Sequence, residues 1–160
     1  MRFVDVSQDD ELAQPLIAEL AVEYATRYNG TEEGTLSWLR GHPAEAFAPP
    51  HGGMLVGLLD GEPVTGGAFC RFDAADGVET AELKRIWTDS RYRRRGYGRL
   101  LLAELEARIA GLGYRRIYLT TGTRQPEAEA LYTAAGYTRL AEPREVVPHY
   151  TALAFEKALG

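Results

Sequence analysis

One stretch near the middle of the chain changes its hydrophobic period, and this change constrains the fold more than any other feature. The alternating residues 78–88 predict a strand, whereas an apolar residue at every third or fourth position from Gly98 onward predicts a helix. The buried face of that helix should consist of Leu102, Leu105, Ile109 and Leu112. A strand that leads through a short turn into an amphipathic helix predicts a helix packed on a sheet.

The flanking segments extend this pattern to an α/β fold. Before the central stretch we predict a strand at 2–6, helices at 12–28 and 31–40, and strands at 54–59 and 63–72. Asp60-Gly61 should form the tight turn between the last two strands. After the central helix we predict a strand at 115–121, a helix at 125–135 and strands at 137–140 and 150–156. The order predicts a mixed, mostly antiparallel central sheet with helices on both faces, in a single domain spanning 1–160.

Composition excludes several functional classes. The chain has 160 residues and a formal net charge of −5, which argues against a general nucleic-acid-binding surface. No stretch approaches the roughly 20 apolar residues of a membrane span, and residues 1–14 do not resemble a signal sequence, so we expect a cytoplasmic protein without a membrane partner. Cys70 is the only cysteine, so neither a disulfide nor a zinc site is expected, and its thiol is either structural or reactive.

The turn before the central helix, Arg93-Arg94-Arg95-Gly96-Tyr97-Gly98, has the features of a phosphate-binding loop. The first amides of a helix have no intrahelical acceptor and attract anions, and two glycines let a phosphate approach them. The loop is neither a GxGxxG motif, which would need glycine where Leu101 stands, nor a GxxxxGK[ST] motif. An ordinary solvated turn is the alternative interpretation.

Two motifs resemble those of the GNAT superfamily of N-acetyltransferases. Arg93, Gly96 and Gly98 match the family pattern (Gln or Arg)-x-x-Gly-x-(Gly or Ala), and Ala128-x-x-Leu131-Tyr132-x-x-x-Gly136-Tyr137 resembles its second recurring pattern. The resemblance implies a GNAT-like sheet and an enzyme that transfers an acetyl group from acetyl-CoA to a primary amine. The acceptor would be a small molecule or an exposed protein amine, attacking directly in a ternary complex. A non-catalytic acyl-CoA-binding or regulatory module is the alternative.

The same resemblance assigns the residues that would bind coenzyme A. The amides from Arg94 to Arg99 would hold the pyrophosphate, and the strand from Ile86 to Thr88 would pair with the pantetheine arm. Gln125 stands where the family often has an Asn that contacts the coenzyme. The full set of candidate coenzyme residues is Ile86, Trp87, Thr88, Arg93, Arg94, Arg95, Gly96, Tyr97, Gly98, Arg99 and Gln125.

Two residues are candidates for proton transfer. Glu82 would act as general base through a water, and it lies six residues before Thr88, roughly 20 Å along a strand. The alternative is an acid that only pairs with Lys84 or Arg85. Tyr132 would protonate the departing thiolate, and its alternative is a tyrosine of the core.

Acceptor recognition is assigned to the two helices near the start of the chain. They offer aromatic and acidic side chains at Tyr24, Tyr28, Glu32, Glu33 and Trp38, of which Tyr24 and Trp38 could equally be core residues. No metal is expected, and the resemblance also makes a homodimer an expectation.

Overall fold

The computed structural model describes residues 1–27, 30–40, 44–122, 126–145 and 152–160, apart from the side chains of residues 27, 32, 38, 44 and 126. The strands are β1 (Arg2–Asp5), β2 (Gly53–Leu59), β3 (Glu62–Asp73), β4 (Glu79–Thr88), β5 (Arg116–Gly122), β6 (Thr138–Leu140) and β7 (Ala152–Ala158). The α-helices are α1 (Gln14–Arg27), α2 (Glu32–Arg40), α3 (Tyr97–Gly111) and α4 (Pro126–Ala134). Short 3-10 helices lie at Glu11–Ala13, Ala44–Phe47 and Ser90–Tyr92. The predicted order of strands and α-helices is confirmed.

The strands form one mixed sheet. In the described part of the chain the order is β1-β2-β3-β4-β5-β7-β6, and every neighbouring pair is antiparallel except β4 and β5. Asp60 and Gly61 have φ angles of 51° and 82°, as the tight turn between β2 and β3 requires. The predicted fold class is therefore confirmed.

Each face of the sheet carries its own apolar cluster. The first cluster lies between the sheet and helices α3 and α4, and it includes Leu83, Leu105 and Tyr132. The second lies under α1 and α2, and it includes Leu16, Leu39 and Trp87. Among the described residues, no helix has the length and apolar character needed to span a membrane.

One prediction about the central helix is wrong. Leu102, Leu105 and Ile109 are buried as expected, but Leu112 is 49% exposed. The helix ends at Gly111, so Leu112 lies at the C-cap, where the helical spacing no longer aims its side chain at the sheet. Leu101 is fully buried and replaces it in the core.

Strand β4 is irregular at two points, and both shape the surface described next. Its parallel pairing with β5 includes Thr80, Ala81 and Glu82, and no residue after Glu82 is paired with β5. On its other edge, the register with β3 shifts between Gly66 and Ala68, which is a β-bulge on β4. The two strands therefore part beyond Glu82.

Candidate active site

A cleft of about 1220 Å³ opens where β4 and β5 part. Its walls come from the end of β4, the arginine-rich loop, the start of α3, the end of β5 and helix α4. Residues of α1 and α2 close it on the other side. The candidate residues Glu82, Ile86, Gly98 and Tyr132 all line this one cleft.

The arginine-rich loop presents the start of α3 to the cleft. Gly96 has φ +84° and is the N-cap of α3, with no side chain to satisfy the first amides, and the first turn carries no acidic residue. A Cβ built on Gly98 would lie 3.3 Å from Leu131, a cleft residue of α4. Absence of a side chain at Gly98 thus keeps these amides accessible from the cleft, as an anion site at a helix N-terminus requires.

The arginines around this loop have different tasks. Arg91 donates to the Asp89 carboxylate at 2.9 Å. Arg93 donates to Thr88 O at 3.2 Å and forms an ion pair with Glu23 of α1. Its guanidinium thus ties the loop to α1, and because Arg93 also lines the cleft, its coenzyme-binding role stays a prediction.

The remaining three loop arginines are exposed. Arg95 lies over the Tyr92 ring, with its guanidinium carbon 5.4 Å from the ring centroid. Arg94 and Arg99 line the cleft, where they can add charge-assisted donors for an anion.

Glu82 is buried at the point where the strands part. Its side chain is 6% exposed, and its Oε1 lies 3.6 Å from Nζ of Lys84. Burial, together with the nearby Glu145 carboxylate and despite the opposing charge of Lys84, raises the pKa of Glu82 from 4.5 to about 7. Glu82 can therefore exchange a proton near neutral pH.

Two contacts of Arg144 explain why the neighbouring Glu145 lies near Glu82. The Arg144 amide donates to the Tyr118 hydroxyl at 2.9 Å, and Tyr118 is the β5 residue that pairs with Glu82. The Arg144 guanidinium also donates to Glu156 on β7 at 2.7 Å. Both contacts fix the segment before residue 146 over this part of the sheet.

Tyr132 lies on the inner face of α4, beside both the cleft and the core. Its ring centroid is 5.8 Å from that of Tyr137 and 5.9 Å from that of Phe155. The helix ends at Ala134, and Gly136 just beyond it has a φ of +92°, which suits glycine, while the Tyr137 amide donates back to Tyr132 O. Burial raises the pKa of Tyr132, so its hydroxyl keeps its proton at neutral pH.

Comparison with known proteins agrees with this geometry. Residues 16–137 match the model of the acetyltransferase (GNAT) family. The chain belongs to the GNAT acetyltransferase family. It is therefore an acyltransferase that takes its acyl group from an acyl-CoA.

Solved structures show the same fold. A Klebsiella pneumoniae protein described as an acyl-CoA N-acyltransferase is 26% identical, with a TM-score of 0.76 over 99% of this chain and 97% of that one. A Staphylococcus aureus GNAT acetyltransferase is 14% identical, with a TM-score of 0.74 over 99% and 100% of the two chains. The GNAT domain of S. lividans PAT is 18% identical, with a TM-score of 0.71 over 99% of this chain and 90% of that one. No curated protein gives a significant match.

The structure describes only some of the residues that the sequence predicts to recognise the acceptor. Tyr24 is half-buried and lines the cleft, whereas Glu33 is exposed on α2. Tyr28 and Gln125 lie outside the described residues, and so do the side chains of Glu32 and Trp38. Their roles stay predictions.

The sequence offered Arg85 as a possible partner of Glu82, but in the structure Arg85 bonds to other residues. Its guanidinium is buried and bonds to Gln8 and to the carbonyl of Leu39, while Lys84 alone of the two basic residues approaches Glu82. The β-bulge changes the alternation of β4, so that the successive residues Lys84 and Arg85 both line the cleft.

We predict that Glu82→Gln stabilises the protein more at pH 8 than at pH 5. Between pH 4.5 and 7 the unfolded chain has released the proton that folded Glu82 keeps, so rising pH favours unfolding of the parent. Glutamine removes this penalty, which we expect to be about 1–3 kcal/mol across that window. Urea unfolding of the two proteins at both pH values measures it.

Glu79→Gln is the matched control, because Glu79 lies on the same strand with a side chain 53% exposed. It removes a carboxylate of the same strand that water solvates, and it therefore gives the baseline for the Glu82→Gln difference. A Glu82→Gln difference that is equal at pH 5 and pH 8 would contradict the raised pKa.

Proposed function

We propose that this protein transfers an acetyl group from acetyl-CoA to a primary amine by direct attack in a ternary complex. The acceptor is the amine of a small molecule or an exposed amine of a protein. The observation that carries the proposal is the position of Glu82, a buried carboxylate with a pKa of about 7 in the same cleft as the anion-binding start of α3. Cytoplasmic location and a homodimer stay predictions from sequence.

The residues present fit coenzyme A. The amides of Tyr97, Gly98 and Arg99 start a helix that has no side-chain cap, and the gap at Gly98 leaves them open to the cleft. The unpaired edge of β4 after Glu82 offers backbone groups to the pantetheine arm. Acetyl-CoA supplies the acetyl group and leaves as the free thiol.

Glu82 would remove the proton that keeps the acceptor amine from acting as a nucleophile. An alkylamine with a pKa near 10.4 is about one part in a thousand neutral at pH 7.4. A carboxylate whose pKa is about 7 is ionised to a useful extent at that pH, and it is basic enough to accept a proton directly or through one water. Its burial also excludes bulk solvent from the transfer.

Tyr132 supplies the complementary acid. Its raised pKa keeps the hydroxyl protonated, and its position on the cleft wall opposite β4 suits a donor to the departing sulfur. Packing against Tyr137 and Phe155 fixes the ring, so little freedom is lost when it acts.

We predict that coenzyme A raises the melting temperature and that Gly98→Asp abolishes this shift. At a hundredfold excess over Kd a ligand stabilises the folded state by about 2.7 kcal/mol. The new carboxylate would occupy the open side of the α3 amides and repel phosphate. Differential scanning fluorimetry with and without coenzyme A measures both effects.

Gly111→Asp is the matched control, because it adds the same charge to the other end of α3 with no neighbouring atom within 4 Å of its Cβ. It should keep the coenzyme shift. A full shift in folded Gly98→Asp would show that the loop is not the phosphate site.

We predict that Glu82→Gln lowers kcat/KM by about a hundredfold or more at pH 7 and by much less at pH 9.5. The base is needed only while the acceptor amine is protonated, so the defect should shrink as the amine deprotonates unaided. Thiol release with acetyl-CoA and a panel of primary amines, followed from pH 6 to 9.5, gives the profile, and Glu79→Gln is again the control.

A constant defect at every pH would assign Glu82 a structural role. No amine-dependent thiol release from the parent protein, together with a clear coenzyme shift, would favour the non-catalytic acyl-CoA-binding module.

We predict that Tyr132→Phe lowers kcat about tenfold to a hundredfold and leaves the coenzyme shift nearly unchanged. This substitution removes the hydroxyl and keeps the ring that packs in the core. The effect should be at the low end for acid catalysis because a thiolate with a pKa near 8.5 is already a fair leaving group.

Tyr137→Phe is the control, since it removes the hydroxyl of the neighbouring ring, which bonds to Glu106 away from the cleft. If kcat of Tyr132→Phe stays within about twofold of the parent while chemistry limits the rate, Tyr132 only packs.

A further inference from the structure

Arg85 is a buried cation on the wall of the cleft. The residue is 7% exposed, and its guanidinium donates to Gln8 Oε1 and to the Leu39 carbonyl at the end of α2. The guanidinium carbon also lies 5.0 Å from the centroid of the Phe47 ring. These contacts use two of the five N–H donors of the side chain.

The protein gives this charge no carboxylate partner among the described residues. Both hydrogen-bond acceptors are neutral, and the titratable group near it among the described residues is the Tyr24 phenol. Burial lowers the pKa of Arg85, which reflects the cost of holding a charge away from water. A buried charge without a counter-ion is costly, and an anionic ligand would offset that cost.

The backbone at Arg85 is also unfavourable for this residue type. Its φ of +60° lies in the left-handed region, where glycine is the least strained choice. A long cationic side chain at such a position therefore needs a compensating role, and backbone outliers of this kind occur often at functional sites.

Arg85 and Glu82 face the same side of the sheet. Cys70 lies opposite Glu82 on β3 and packs against the cluster under α1 and α2, and directly opposed residues share a face. Arg85 contacts Leu39 and Phe47 of that same cluster. Lys84, 3.6 Å from Glu82, places a second cation between them.

This face also carries a buried hydrogen-bond donor, the Trp87 indole. Trp87, two residues after Arg85, belongs to the same cluster, and its indole N–H has no acceptor among the described residues. Lys84, Arg85 and Trp87 all line the cleft. Oxygen atoms of an anionic ligand would supply the missing acceptors.

We propose that the acceptor carries a carboxylate beside its amine, and that Arg85, assisted by Lys84, binds this carboxylate while Glu82 accepts the amine proton. The inference rests on the proposed acetyl transfer and names the class of substrate as a free amino acid or a closely related amino carboxylate. Three residues of strand span roughly 10 Å, so side chains from Glu82 and Arg85 can converge on the two ends of such a molecule. The Glu23 carboxylate in the cleft does not oppose the substrate charge, because it is paired with Arg93.

The test compares free amino acids with their α-carboxamides as acceptors for the full-length protein and acetyl-CoA. We expect the parent to prefer the acids, with kcat/KM about tenfold to a hundredfold higher than for the amides, because a charge-assisted bond is lost in the amide. Arg85→Gln should bring the two classes within about threefold of each other, chiefly by raising KM for the acids. Arg115→Gln is the control, because Arg115 is exposed and does not line the cleft, and this variant should keep the preference for acids over amides.

Arg85 also holds the end of α2, so folding of each variant is checked by the coenzyme A shift. Arg85→Lys keeps the charge without the planar fork and should retain part of the preference, which keeps the test valid if Arg85→Gln does not fold. Equal use of acids and amides by the parent, or an Arg85→Gln defect equal for both, would overturn the proposal.

A binding measurement separates this inference from the proposed reaction. With coenzyme A at saturation, amino acids should raise the melting temperature of the parent and their amides should not. This result without thiol release would support the carboxylate site and reject the transfer reaction. Neither acetylation nor stabilisation by any of the twenty amino acids would overturn the carboxylate site.

Discussion

The separation of β4 from β5 beyond Glu82 is the feature on which the site depends. Pairing between these two parallel strands stops at Glu82 and Tyr118, while both strands continue for several residues. A β-bulge increases the local twist of its strand, and the bulge of β4 follows closely after the last pair. The separation of the two strands thus opens the cleft and leaves an edge of β4 without a partner strand. Glu82 lies buried at the point where the strands part.

Polar contacts at the cleft wall and beside it hold its parts in place. The Arg93 contact with Glu23 ties the arginine-rich loop to α1, and the Arg144 contacts with Tyr118 and Glu156 hold the segment that brings Glu145 toward Glu82. Surface ion pairs contribute little to stability on average, so these are better understood as positioning contacts.

The fold could be predicted from the sequence because the patterns that specify its strands, turns and helices each lie within a few residues. Alternation in β4, the glycines before α3 and the Asp60-Gly61 turn each specify a conformation within a few residues. The error at Leu112 came from extending a helical period one residue past the end of α3. Glu82 and Tyr132 could be chosen from the family resemblance, but the contacts of Arg85 and Arg93 could not be predicted, because their partners Leu39 and Glu23 lie far away in sequence.

The bulge itself shows how one local irregularity depends on residues of two strands. Gly67 of β3 lies opposite it, and a Cβ at that position would come within 2.6 Å of the Ile86 side chain. Glycine therefore provides space on the facing strand, while the strained left-handed position on β4 is occupied by Arg85. A glycine at residue 85 would relieve the backbone but leave the end of α2 without its tie to the sheet. The arginine instead ties the Leu39 carbonyl near the end of α2 to the strand that carries Glu82, which a glycine could not do.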